Sequence, residues 1–202
     1  MPVRRGVPSF VLTLFVLLAM AVGAPTASAV SVDQVTGGQT ALFVPFSHIQ
    51  KFAQAGISVS PIPPAFLTFN SWQEGPALRF PITGGAVESD SMLGTVDHAG
   101  GMLMLQYADG VEKKRLEVTI PRIVNGNMLI GNALGLVPAP TADLVNASHS
   151  KDPSSGVIHY EADARVGDAT ALVLNTYFET NVFNAGLILG HVKSDIQTKK
   201  LL

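Results

Sequence analysis

The sequence predicts a mostly β domain, either an antiparallel sandwich or a partly closed barrel, carrying one or two short helices. Glycine and proline, 19 and 13 of 202 residues, break the chain about once in six positions. Between the breaks lie short runs rich in β-branched and aromatic residues, and few stretches hold a helical period. Several runs alternate apolar and polar side chains, as a strand does when one face lies in a core.

The expected strands, in chain order, are Thr40–Pro45, Ile57–Ser60, Ala65–Phe69, Leu78–Ile82, Gly94–His98, Met102–Tyr107, Lys114–Ile120, Met128–Leu136, Val157–Val166 and Leu187–Val192. In the seventh, Leu116, Val118 and Ile120 alternate with Arg115, Glu117 and Thr119. In the ninth, Ile158, Tyr160, Ala162 and Ala164 share one face and His159, Glu161, Asp163 and Arg165 the other. Asp109-Gly110 suits a tight hairpin turn that needs positive φ. Gly100-Gly101 is expected to make a hairpin of Gly94–His98 and Met102–Tyr107, and Asn125-Gly126 to join the seventh and eighth strands. Helices are expected over Ser47–Ala55, with Ser47 as N-cap, and over Thr170–Phe178. The stretch 137–156, rich in Pro, Ala, Ser, Asp and Asn, reads as a long surface loop, and the tail after Asp195 as a frayed end.

The first residues carry an export pattern. Arg4 and Arg5 precede an apolar run from Phe10 to Val22, and Ala27-Ser28-Ala29 supplies small residues for cleavage. Residues 1–29 are therefore expected to be a secretory signal peptide, cut near Ala29. Residues 30–202 then form a single domain that is secreted, extracellular or associated with the cell wall. Without Arg4 and Arg5, 11 basic residues face 15 acidic ones, a net charge of −4. Nucleic-acid binding through counterion release is not expected of such a surface. No later segment is long enough to span a bilayer. With no cysteine, thiolate nucleophiles, cysteine zinc sites and iron–sulfur clusters are excluded.

Three ordered motifs stand in the middle of the chain: Phe80-Pro81-Ile82-Thr83-Gly84-Gly85, then Leu93-Gly94-Thr95-Val96-Asp97-His98-Ala99-Gly100-Gly101, then Leu116–Ile120 continuing through Pro121-Arg122 to Asn125-Gly126 and Gly131. Near the end, Asn175-Thr176-Tyr177-Phe178 precedes Phe183-Asn184-Ala185-Gly186. From about Thr36 to Val192 this order resembles the HtaA-domain group of secreted actinobacterial proteins. The resemblance implies a β-rich module that captures haem at the cell surface through a tyrosinate-type iron ligand with histidine nearby. His98 matches the group's histidine. The group's early tyrosine has no counterpart in Pro45–Phe52.

Haem iron takes side chains such as His, Tyr or Met in an apolar pocket. The candidate haem-binding residues are His98, by resemblance, and Tyr107 and Tyr160, by their chemistry. Gly100-Gly101 beside His98 would let a flat ligand approach the backbone. Met102 and Met104 either line a pocket or fill the core. His159 and Tyr160 are strand neighbours and point to opposite faces. No histidine pair has metal-chelating spacing, and no catalytic motif is present. Glu88 and Asp90 read as a solvated turn rather than a carboxylate pair, and Trp72 as a loop aromatic that either binds a partner or caps the core.

The expected function is a non-enzymatic β domain of the secreted or envelope compartment that binds haem. Its partner would be that ligand or an envelope protein. The alternative is a structural or adhesion module without a small-molecule ligand. An apolar slot beside His98 favours haem, a flat patch near Trp72 favours adhesion, and a polar cleft with carboxylates favours catalysis.

Overall fold

The computed structural model describes residues 31–71, 75–133 and 138–201. The expected signal peptide and Trp72 lie outside them. The elements run β1 (Val32–Phe43), α1 (Phe46–Gln54), β2 (Ile57–Ile62), β3 (Phe66–Ser71), β4 (Gly75–Glu88), β5 (Gly94–His98) and β6 (Gly101–Ala108). They continue through β7 (Val111–Val124), β8 (Met128–Ala133), β9 (Pro138–Lys151), β10 (Val157–Arg165), α2 (Asp168–Phe178) and β11 (Ile188–Lys200).

The pairing closes on itself. Strands β7-β5-β4-β1-β11-β10-β9-β8 form a ring of eight, completed by the β7–β8 ladder. The architecture is thus a closed barrel rather than a sandwich. Strands β2, β3 and β6 lie outside the ring, β3 on β4 and β2 on β6. Every ladder is antiparallel.

Inward alternation fills the barrel. Along β10, Ile158, Tyr160, Ala162 and Ala164 are buried, as their spacing predicts. They meet Val192 and Ile196 of β11, Val87 of β4, Val96 of β5 and Ile123 of β7 in one core. A second cluster sits outside the ring, where Phe52 of α1 and Phe178 of α2 pack with Ile57, Met104, Leu116, Val118 and Phe183.

Two hairpins form as the turn residues predict. Asp109 and Gly110 both take positive φ between β6 and β7, and Asn125 and Gly126 do so between β7 and β8. Gly100-Gly101 does not make a hairpin. Strands β5 and β6 both pair with β7, at Thr95–Asp97 and at Gly101–Ala108, and follow one another along it. Together they are one long bent strand. Its inner half belongs to the barrel, and its outer half leaves with the outer half of β7 as a flange bearing β2.

The same bend corrects the face expected for Ile120. Its φ of 50° and an irregular register between Thr119 and Arg122 shift the alternation. Ile120 therefore turns outward, and Ile123 occupies the core instead. Its amide still bonds Gly100, at 2.9 Å.

Three further expectations are overturned. The loop foreseen at 137–156 is mostly β9, a ring strand placing Ala142 and Leu144 in the core; among its described residues, 138–156, only the turn at 152–156 is loop. Its small polar residues mask the alternation because most of its outward face is exposed. The tail is no frayed end. Strand β11 continues to Lys200 between β1 and β10, with Val192, Ser194 and Ile196 inward. Helix α1 starts at Phe46 after Pro45, without the side-chain cap expected from Ser47.

Candidate functional site

The bend of the β5–β6 strand separates the flange from the barrel, and α1 and α2 cover the gap. Between these walls lies a cavity of about 670 Å³. Leu42 and Leu78 line it from the barrel, Met104, Leu116 and Val118 from the flange, and Phe52 and Leu174 from the helices. Ala53, Ser58, Leu67, Ala139, Pro140, Ala169 and Val173 line it while exposed to solvent, and so mark where it opens. Its volume falls in the range of small-molecule sites.

The cavity wall is almost wholly apolar. Among the described residues its side-chain oxygen and nitrogen atoms are four hydroxyls, and each turns to a main-chain carbonyl. Ser58 bonds Leu105 (3.5 Å), Thr141 bonds Leu129 (3.0 Å), Thr170 bonds Pro140 (3.3 Å) and Tyr177 bonds Arg115 (2.6 Å). No charged side chain lines it among the described residues.

Helix α2 is held over the cavity from its C-terminal end. The Asn175 side chain donates to the carbonyl of Phe183 (2.8 Å) and accepts from its amide (3.1 Å), a side-chain mimic of a strand pair. Gln106 donates to the carbonyl of Phe178 (2.8 Å), and Lys114 pairs with Glu179 (2.7 Å). The aromatic rings of Phe52 and Phe183 stack with centroids 5.2 Å apart.

His98 lies inside the barrel, 3% exposed. A carbonyl can only accept, so Nδ1 donates to Pro121 (3.0 Å), leaving Nε2 to accept from the Thr40 hydroxyl at 2.7 Å. Thr40 in turn accepts from Ser194 (2.8 Å). Burial lowers the imidazole to about 4, against opposing pulls from the Pro121 bond and Asp97, so the ring is neutral at physiological pH. Beside it is a void of about 70 Å³, whose lining shares Leu42, Met102, Val118, Thr141 and Leu189 with the large cavity.

The three candidate haem-binding residues do not converge. Tyr160 is buried at the Asn125-Gly126 turn and donates to the Gly126 carbonyl at 2.7 Å; burial raises its hydroxyl above the ordinary tyrosine value. Tyr107 stands exposed near the outer end of β6. Both nitrogens of His98 are engaged, and the void beside it is far smaller than a porphyrin needs. The space at Gly100 is taken by protein, since a Cβ there would lie 2.5 Å from the Ala65 nitrogen. These residues do not fit a haem iron. Met102 and Met104 serve both roles weighed for them, packing in the core clusters and lining the cavity. Apart from Met102 and Met104, the sequence leaves the lining unmarked, because it is drawn from eleven elements whose apolar side chains read individually as core.

Among the described residues no cluster of three or more His, Asp or Glu side chains forms a metal site, and no helix is long and apolar enough to cross a membrane.

A closed antiparallel ring with an outside flange and two short covering helices defines the class of this domain. The same fold is found in the C-terminal domain of HtaA from Corynebacterium glutamicum, with a TM-score of 0.60 and 15% identity, over 83% of this chain and 99% of that domain. No protein-family model matches the chain, and no curated protein does.

Proposed function

We propose that this chain is an exported, non-catalytic binding module whose barrel and flange house a small molecule. The observation that carries the reading is the apolar cavity of about 670 Å³ between the barrel wall, the flange and the two helices. A void of that size left without an occupant forfeits the packing of its whole lining. The export pattern ending at Ala29 supports a secreted or wall-associated location. Satisfied hydroxyls and the lack of charged lining groups among the described residues support binding rather than catalysis. Haem is the ligand that the family resemblance suggested, but the present arrangement of His98, Tyr107 and Tyr160 lends it no support. An adhesion module needs no enclosed cavity, so the cavity weighs against that alternative.

The test uses the full chain, exported and processed by a bacterial host. Amino-terminal sequencing is expected to begin at Val30. The purified protein is then titrated with the uncharged fluorophore N-phenyl-1-naphthylamine and, separately, with haemin. Saturable one-to-one enhancement of the fluorophore, without a one-to-one Soret shift for haemin, is the expected result. No saturable binding of either compound would overturn the reading.

A further inference from the structure

The cavity wall also restricts the kind of molecule it can hold. A buried ion needs a counter-charge or several oriented hydrogen bonds; without them its desolvation is strongly unfavourable. This cavity supplies neither. Its four side-chain hydroxyls each donate their one proton to a main-chain carbonyl, which leaves an anion no side-chain donor. The described lining carries no carboxylate to meet a cation. The opening continues the pattern, since its exposed lining residues, with Ser58 the one polar side chain among them, bring no cation or anion to meet a charged head group. The walls also differ in kind. Met102 and Met104 of β6 are flexible and unaromatic, whereas Phe52, Phe183 and Tyr177 gather on the helix side. Such a lining accommodates a bendable chain.

We infer that the ligand is an uncharged lipid-like molecule: a hydrocarbon chain bearing no ionised head group, such as an ester or an alcohol. The inference rests on the reading of the cavity as a binding site. It separates this domain from one that captures a dianionic porphyrin, whose two carboxylates would find no partner on this wall.

Competition with one chain carrying three different heads tests it. Methyl decanoate, decanoate and decyltrimethylammonium are each titrated at pH 8 against the protein loaded with N-phenyl-1-naphthylamine. The ester is expected to displace the fluorophore, with both ions weaker by roughly 100-fold. Displacement by either ion within tenfold of the ester would overturn the inference while leaving the cavity a binding site. Failure of the fluorophore itself to bind would remove the binding reading instead. Leu174→Trp, which places an indole in the cavity from α2, is expected to abolish fluorophore binding and keep the far-ultraviolet circular dichroism of the parent. Retained binding in a folded Leu174→Trp protein would likewise remove the binding reading, because the fluorophore would then report another surface.

Discussion

Inside the barrel, the Thr40 hydroxyl and Nε2 of His98 lie 2.7 Å apart, and the orientation of that bond follows from the Pro121 carbonyl on the other side of the ring. A neutral imidazole satisfies both neighbours. An imidazolium would aim a second proton at a hydroxyl already placed to donate.

This makes His98 a pH-dependent element of stability. Its folded value of about 4 lies below the ordinary 6.5, so the unfolded chain binds more protons between these limits. Stability is full above about pH 6.5 and falls as pH drops toward 4. Between pH 7 and 5 the loss is expected to be about 2 kcal/mol. Urea unfolding across this range checks it, with His98→Gln flattening the dependence. An unchanged slope in that variant would assign the effect elsewhere.

Tyr160 closes one end of the barrel through its bond to Gly126. Tyr160→Phe keeps the ring and leaves a buried carbonyl without its partner. Chemical denaturation is expected to show a loss of about 1–2 kcal/mol with an unchanged m-value. A neutral outcome would mean that the carbonyl finds another donor.

Asn175→Ala removes both bonds to the Phe183 main chain. The expected cost is about 2 kcal/mol. Hydrogen exchange should quicken first in α2 and around Phe183, before the ring strands. Uniform quickening throughout would show that the helix does not open separately from the barrel.

At another edge of the ring, the buried Asp33 of β1 pairs with Lys151 of β9 and accepts from Ser89. Burial alone would raise its carboxyl; the Lys151 and Ser89 hydrogen bonds outweigh burial and hold it below the ordinary value. The stability from this depressed carboxyl is present above its unfolded value and lost as pH falls through the folded one. Lys151→Met strands the carboxylate, at a cost of roughly 3 kcal/mol at pH 7. Because that carboxyl then binds its proton more readily, the variant should recover part of the difference at pH 4. Thermal melts at both pH values measure the crossover.

The strands that alternate cleanly were legible in the sequence, β10 above all, as were the two turns built on Asp109-Gly110 and Asn125-Gly126. Closure was not, because it depends on the β7–β8 ladder meeting β9 and β10 around the ring, and β9 is written in small polar residues. Ile120 misled through a single bulge, which reverses the parity of everything after it. His98 was legible as unusual but not as buried. Its two hydrogen-bond partners stand 58 residues upstream and 23 downstream. The cavity was the least legible feature: nothing in a run of Leu, Met and Val says whether the space they face is filled.

The continuous bent strand from Gly94 to Ala108 has a geometric consequence. Because barrel wall and flange are cut from one ribbon, the width of the chamber is governed by an angle at Gly100 and Ile120 rather than by the lengths of loops. A related chain could receive a larger or smaller guest by opening or closing that elbow by a few degrees, with the ring of eight strands left untouched.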